Sequence, residues 1–430
     1  MRKSSLILAF ILSTVSNLTF LSPSFAGTTY SFTNASVTGR TGPTQAQVNS
    51  AYTGTTLAGL VTINADGIQE WSVPTSGTYS ITLAGAKGGG TNGGRGARIY
   101  GEFSLTQGQV LKIIVGQMGS ASSNYGGGGG GGSFVWLSNS TSEPLIAAGG
   151  GGGQGGGGRS AVDASITTSG TAGTPGANDV SGAWAGAGGT AGNPGQTYDY
   201  ASNSWDAAAG AGWKGNSTNA TQYSGSNQNF AYSPANGGMG GLSFSAVGNN
   251  SGGFGGGGGA GGTADSPSSV GGGGGGYSGG GNGSNDSSVN RGAGGGGGSY
   301  NSGSNISSTA GSNSIHGSVT ITQLTTITAN FNSFALAGNA TSATFRTSVT
   351  INASVDISAR VTFREGNLVI SGCKNKVATG SGSVFTTSCT WKPSRRGAVS
   401  VSASATPVAG GNTGYATPVR VAVINRVGPR

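Results

Sequence analysis

The sequence predicts a mainly β protein: a β-sandwich or jelly roll carrying a glycine-rich insertion, followed by a second, smaller sandwich. Three observations predict it. Short segments with apolar residues at every second position recur along the chain, which is the pattern of half-buried strands. Glycine supplies 90 of 430 residues, far above the roughly 7% of ordinary proteins. Much of it stands in unbroken runs at 126–132, 149–153, 155–158, 255–259, 271–276 and 294–298. Near Thr325 those runs stop and β-branched alternation takes over.

Residues 1–26 read as a secretory signal. Arg2 and Lys3 form the positive region, 6–12 the apolar stretch, and Ser24-Phe25-Ala26 the small-x-small cleavage site. The apolar stretch is shorter than the ~20 residues a membrane span needs, and no other segment is long and apolar enough to cross. The mature protein is therefore expected to be exported, then released or held at a surface by another molecule.

The elements of the first sandwich follow in order. Pro43 sits at an early helical position, and Val48, Ala51 and Tyr52 recur at helical spacing, so a short helix is expected there. Residues 67–74 read as a strand running into a turn at Thr75-Ser76-Gly77. Tyr79, Ile81 and Leu83 then alternate with small polar residues, as do Ile99, Gly101, Phe103 and Leu105, then Leu111, Ile113 and Val115. Ser133-Phe134-Val135-Trp136-Leu137 and Pro144-Leu145-Ile146-Ala147-Ala148 each abut a glycine run, and 317–322 supplies a closing strand far downstream. Strands at about 29–148 and 315–323 thus enclose an insertion at about 149–314.

That insertion has the composition of a disordered segment. Its aromatic residues argue otherwise: Trp184, Tyr198, Tyr200, Trp205, Trp213, Tyr223, Phe230, Tyr232 and Phe254 punctuate the runs. Polyglycine can adopt a threefold extended helix whose amides have no internal partner. Without Cβ atoms, such helices can pack side by side and satisfy their amides laterally.

Residues 325–430 have about the length of one immunoglobulin-like sandwich. Val349, Ile351 and Ala353, then the alternate residues from Val355 to Phe363, then Val399 and Val401, follow period two. Cys373 and Cys389 are the only cysteines. In an exported protein they are expected to form a disulfide closing a loop of about 16 residues, contributing on the order of 3 kcal/mol.

Two stretches are more specific than composition. Tyr30-Ser31-Phe32-Thr33-Asn34-Ala35, Gly39-Arg40-Thr41-Gly42-Pro43-Thr44-Gln45-Ala46-Gln47, and Gly67-Ile68-Gln69 with Trp71 resemble the glycine-rich extracellular region of anaplastic lymphoma kinase and leukocyte tyrosine kinase. Val115-Gly116-Gln117, the 126–132 run, Pro144-Leu145-Ile146-Ala147-Ala148 and His316-Gly317-Ser318-Val319 follow in the same order. The resemblance covers roughly 29–322 and implies a tumour-necrosis-factor-like jelly roll with an inserted bundle of polyglycine helices. A similar lattice occurs in the tip adhesins of T-even phage tail fibres. There is no Gly-rich ATP loop, no His-Arg-Asp and no Asp-Phe-Gly, so kinase activity does not carry over. In the tail, Val361-Thr362-Phe363-Arg364-Glu365-Gly366-Asn367, Ile370-Ser371-Gly372-Cys373 and Cys389-Thr390-Trp391-Lys392-Pro393 resemble bacterial immunoglobulin-like repeats of surface proteins, which points to a bacterial source.

Catalytic motifs are weak. Gly276-Tyr277-Ser278-Gly279-Gly280 matches G-x-S-x-G, but that motif needs a strand-to-helix setting and a histidine base, and His316 is the only histidine. The G-x-G-x-x-G matches lack a βαβ context. The carboxylates are isolated, with Asp199 and Asp206 the nearest to a candidate pair, and two cysteines with one distant histidine do not make a zinc shell. No enzyme activity, cofactor or metal is expected. Basic residues are scattered apart from Lys374/Lys376 and Lys392/Arg395/Arg396, with no basic stripe of interleaved aromatics for nucleic acid. Those clusters read either as solvated charge or as weak attraction to acidic surface polymers.

The expected function is a secreted or cell-surface, non-enzymatic adhesion or recognition protein. Its candidate ligand contacts are Tyr198, Tyr200, Trp205, Trp213, Tyr223 and Tyr232, and its expected partner is a cell-surface glycan or protein. The alternative is a structural coat or matrix component, in which those rings cover the sides of the glycine bundle.

Overall fold

A computed structural model describes residues 25–64, 66–122, 125–140, 142–177, 184–198, 206–218, 230–243, 250–262, 269–284, 291–325, 328–408 and 411–425. The expected signal, 1–26, lies almost wholly outside them. The protein is mainly β, with one α-helix among the described residues. It divides into two compact units, one spanning Ala26–Leu324 and the other containing Thr325–Arg430.

The first unit runs through β1 (Phe25–Phe32), α1 (Gln45–Ala51), β2 (Val61–Ile63), β3 (Gln69–Ser72), β4 (Gly77–Ala84), β5 (Gly96–Leu105), β6 (Val110–Ile114), β7 (Ser133–Leu137) and β8 (Ile146–Ala148). After the glycine-rich segment, with its two-residue β9 (Gly261–Gly262) and β10 (Ser269–Val270), come β11 (Tyr300–Asn301), β12 (Ser304–Asn313) and β13 (Ser318–Thr325). Two main sheets result, ordered β1-β13-β4-β5-β12 and β11-β8-β7-β6-β3-β2. The chain switches between them repeatedly, in jelly-roll fashion. The expected short helix is present, but it starts later than expected: Thr44 is its N-cap and Pro43 lies before it, because Thr44 and Gln47 form a reciprocal capping box that satisfies amides the first turn leaves open.

The period-two residues face each other across the sandwich. Tyr79, Ile81 and Leu83 of β4 pack over Trp71 of β3 and Leu111 and Ile113 of β6, all buried. Each such side chain contributes about 1.5–3 kcal/mol relative to exposure. The Trp71 and Tyr79 rings meet edge to face across the two sheets, with centroids 6.5 Å apart.

The insertion ends sooner than expected. Residues 300–313, assigned to it on composition, form β11 beside β8 and β12 beside β5. Strand β12 is serine-rich and almost entirely exposed on both faces, so it lacks the apolar alternation that marks a strand in sequence.

The glycine runs form a lattice. Gly127 and Gly130 donate to Gln154 and Gly151, Gly128 and Gly131 to Ser120 and Gln117, and Gly129 and Gly132 to Gly258 and Gly255, all at 2.8–2.9 Å. Every third amide therefore addresses the same neighbour, as a helix of three residues per turn requires. The carbonyls of the same run accept from 272–275, 86–89 and Gly253, three further neighbours. Run 271–276 repeats the pattern, its successive amides going to 292/295, 127/130 and 208/211. No glycine of runs 126–132, 149–153 or 271–276 has a positive φ, so left-handed freedom is not what selects glycine there. Close approach is: a Cβ on Gly129 would fall on the carbonyl oxygen of Gly273, and one on Gly274 on that of Gly150.

The second unit comprises β14 (Phe331–Leu336), β15 (Ser342–Thr344), β16 (Val349–Val355), β17 (Ala359–Glu365), β18 (Leu368–Val369), β19 (Lys376–Val377), β20 (Thr379–Ser381), β21 (Val384–Trp391), β22 (Gly397–Pro407), β23 (Gly414–Tyr415) and β24 (Val419–Ile424). Its sheets, β14-β16-β21-β20 and β15-β24-β22-β17-β18, reproduce the strand order of an immunoglobulin-type sandwich. Ile351, Val355, Phe363, Trp391 and Val401 fill its core. A disulfide joins Cys373, in the loop after β18, to Cys389 on β21.

Candidate functional site

Over β7, β8 and the end of β6, both faces of the second sheet of the first unit are buried. Ile114, Phe134, Trp136 and Ala147 point away from the sandwich core and are covered by Trp213, Phe254 and Tyr277 of the insertion. Trp213 lies with its ring centroid 6.1 Å from Phe134 and 5.5 Å from Trp136, and its indole N–H donates to the Ser142 carbonyl at 3.2 Å. Lys214 Nζ approaches Glu143 Oε1 to 3.0 Å. Burial, then the neighbouring Glu143 carboxylate, pushes the Tyr277 phenol above its ordinary range. Trp213 is only 4% exposed, which corrects its expected place on a recognition surface. The lattice has almost no side chains of its own, so aromatic rings from the insertion seal it against the sheet.

The other candidate contacts differ in setting. Tyr198 is half-buried; its amide donates to the Asn282 side chain at 2.9 Å, and Asn282 is itself fully buried within the bundle. Tyr232 is half-buried too, its ring tilted against Phe230 at 4.8 Å and its amide donating to Met239 O at 2.8 Å. Tyr200, Trp205 and Tyr223 lie outside the described residues, as does Asp199. Asp206 is buried.

Close to Tyr232 in sequence is the wall of a cavity of about 400 Å³, lined by Pro43, Gln45, Asp66, Asn236, Met239 and Phe254 among others. Local chemistry builds each wall. Asn64 Oδ1 accepts from the amides of Asp66 and Ile68 at 3.1 and 3.0 Å, which folds the β2–β3 loop. Gly42 and Gly67 touch backbone to backbone; a Cβ on Gly67 would lie 2.6 Å from Gly42 Cα. Arg40 Nε donates to Gly240 O at 2.9 Å, and Gly240 N returns a bond to Arg40 O at 2.8 Å. Burial holds the Arg40 guanidinium below its ordinary pKa. A 3-10 turn, Pro234–Asn236, supplies the last wall and ends at Gly237 with φ 95°. The Gly39–Pro43 motif noted in the sequence is thus a clamp that ties the sandwich to the insertion. Asp66, Asn236 and Met239 carried no sequence signal, because loops folded together from distant segments leave no periodic trace.

The hydroxyl of Ser278 donates to Thr168 O at 2.6 Å and accepts from Gly192 N at 3.0 Å, in a fully buried lattice position. His316 Nδ1 accepts from the Met118 amide at 3.0 Å. Ser278 Oγ and His316 Nδ1 are thus each held by backbone groups, with no hydrogen bond between the two residues shown. Among the described residues there is no group of three or more His, Cys, Asp or Glu side chains able to hold a metal ion, and no helix is long and apolar enough to cross a membrane. No family model matches the chain. The chain is similar to the leukocyte tyrosine kinase receptor of Mus musculus, 38% identical over 97 residues that make up 20% of this chain and 11% of that protein. The matched part is about a tenth of the receptor's length, and the relationship it shows is a distant one.

Proposed function

We propose that this is an exported, non-enzymatic recognition or adhesion protein, with a glycine-rich domain at 27–324 of the type found in the receptor family and a bacterial immunoglobulin-like domain at 325–430. The observation that carries this reading is the lattice. Most of its interior glycines, such as Gly129 and Gly274, have no room for a Cβ, so large side chains are presented chiefly where the chain leaves it, as at 230–240 beside the cavity. Loops held by a rigid scaffold are where binding residues concentrate. The distant similarity to a receptor supports a recognition role, and the disulfide is compatible with an oxidising compartment. The partner would be a cell-surface glycan or protein, met by Tyr232 and Tyr198 together with Tyr200, Trp205 and Tyr223.

Fluorescently labelled mature protein should bind intact cells or a glycan array saturably, and unlabelled protein should compete. Binding that never saturates would favour a structural matrix component. That second reading has its own support, since Trp213, Phe254 and Tyr277 act as cover for the bundle rather than as contacts.

A further inference from the structure

Beyond residue 324 the sequence holds only two carboxylates, Asp356 and Glu365, against eleven lysines and arginines. The formal net charge of +9 therefore belongs entirely to this unit, the remainder of the chain being balanced. Both carboxylates are already engaged. Asp356 accepts from the Asn330 amide and side chain at 2.8 and 2.9 Å. Glu365 accepts from Trp391 Nε1 at 2.9 Å and Ser394 Oγ at 2.8 Å, and Arg395 Nε lies 3.7 Å away.

Four of the eleven cations gather where the turn after β15 meets the turn between β21 and β22. The Arg346 amide donates to Pro393 O at 3.3 Å, which joins the two turns. The guanidiniums of Arg346 and Arg396 lie over the Phe345 ring, 5.1 and 4.8 Å from its centroid. Lys392 and Arg395 complete the group, and all four cations are exposed. Arg346, Lys392 and Arg396 have no carboxylate partner among the described residues. Resting a guanidinium on a ring restricts it without neutralising it, and leaves its planar fork free for a carboxylate or sulfate.

We infer that this end of the immunoglobulin-like unit binds an acidic polysaccharide. Nucleic acid fits less well, because the one aromatic ring in these turns already carries two guanidiniums and offers no face for base stacking. A bilayer fits less well, because residues 346–348 and 392–397 present hydroxyl and cationic side chains and no exposed large apolar one. A net charge of one sign also accelerates encounter with a polyanion and makes binding salt-dependent. The inference stands apart from the recognition role proposed for the insertion, so this binding should survive Tyr232→Ala.

The test immobilises heparin and polygalacturonate and titrates the full mature chain at several salt concentrations. The wild type should be retained on one or both and released by salt. The triple variant Arg346→Ser, Lys392→Ser, Arg396→Ser should lose at least about tenfold in affinity, with a shallower salt dependence. A control triple of equal charge, Arg360→Ser, Lys374→Ser, Lys376→Ser, removes cations from the region where β17 begins and pairs with β19, and should lose much less. Acetylation mapping of the unmutated chain gives a second readout, in which bound polysaccharide should protect Lys392 and leave Lys374 and Lys376 reactive. Equal losses in the two triples, protection of the wrong lysines, or a wild type that binds only phosphatidylglycerol vesicles or only single-stranded DNA would overturn the inference.

Discussion

Trp136 of β7 and Trp213 of the insertion meet edge to face, with ring centroids 5.5 Å apart. Through this pair the glycine lattice is fastened to the outer face of a sheet whose inner face is already a core. A strand buried on both faces cannot show clean alternation, and Ser133-Phe134-Val135-Trp136-Leu137 does not.

Replacing Trp213 with alanine should therefore act on stability. The expected cost is about 3–5 kcal/mol, seen as a lowered melting temperature, with any binding loss following unfolding. Tyr232→Ala should instead leave the melting temperature nearly unchanged while weakening ligand or cell binding several-fold. Measuring both quantities on each variant separates the roles; a Trp213→Ala protein that melts like wild type would refute the anchoring role.

Gly129→Val should disrupt the lattice, because its Cβ would fall on the Gly273 carbonyl oxygen and neither backbone can give way. A loss of about 3 kcal/mol or more is expected. Gly77→Ala makes a good control, since a Cβ there meets nothing closer than Gln323 Nε2 at 3.6 Å. Hydrogen exchange should find amides within 271–276 and 294–298 protected in the wild type. Exchange at random-coil rates would contradict the lattice.

Stability of the first unit should fall in mild acid. His316 accepts the Met118 amide on Nδ1, and burial lowers its pKa below the ordinary 6.5. The unfolded chain thus takes up this proton first. The His316 contribution is complete above the ordinary value and is lost as pH falls from there toward the lower folded value. Urea unfolding from about pH 7.5 to about pH 5 should show this slope in the wild type and a smaller one in His316→Asn. Identical slopes would assign the effect to other groups.

Reducing the Cys373–Cys389 bond, or replacing both cysteines with serine, should lower the stability of the second unit by on the order of 3 kcal/mol. Intact mass before and after reduction reports whether protein recovered from the exterior carries the bond; two free thiols there would count against it.

By itself the sequence determined which residues of β4, β5 and β6 face the core, that a short helix lies near Val48, and where the glycine runs give way to a second sandwich. Those features are local: period two, helical spacing, and a change of composition each act over a few residues. Tertiary structure alone decided the rest. Strand β12 was invisible because its partner β5 supplies the pairing while its own side chains stay in water. The fate of Trp213 depended on whether a bare lattice needed covering, and the cavity walls come from distant segments, such as those of Pro43 and Met239. A glycine run reads alike in sequence as linker or as lattice. The choice is made by six neighbouring chain segments at hydrogen-bonding distance, and those neighbours are brought together only by the fold.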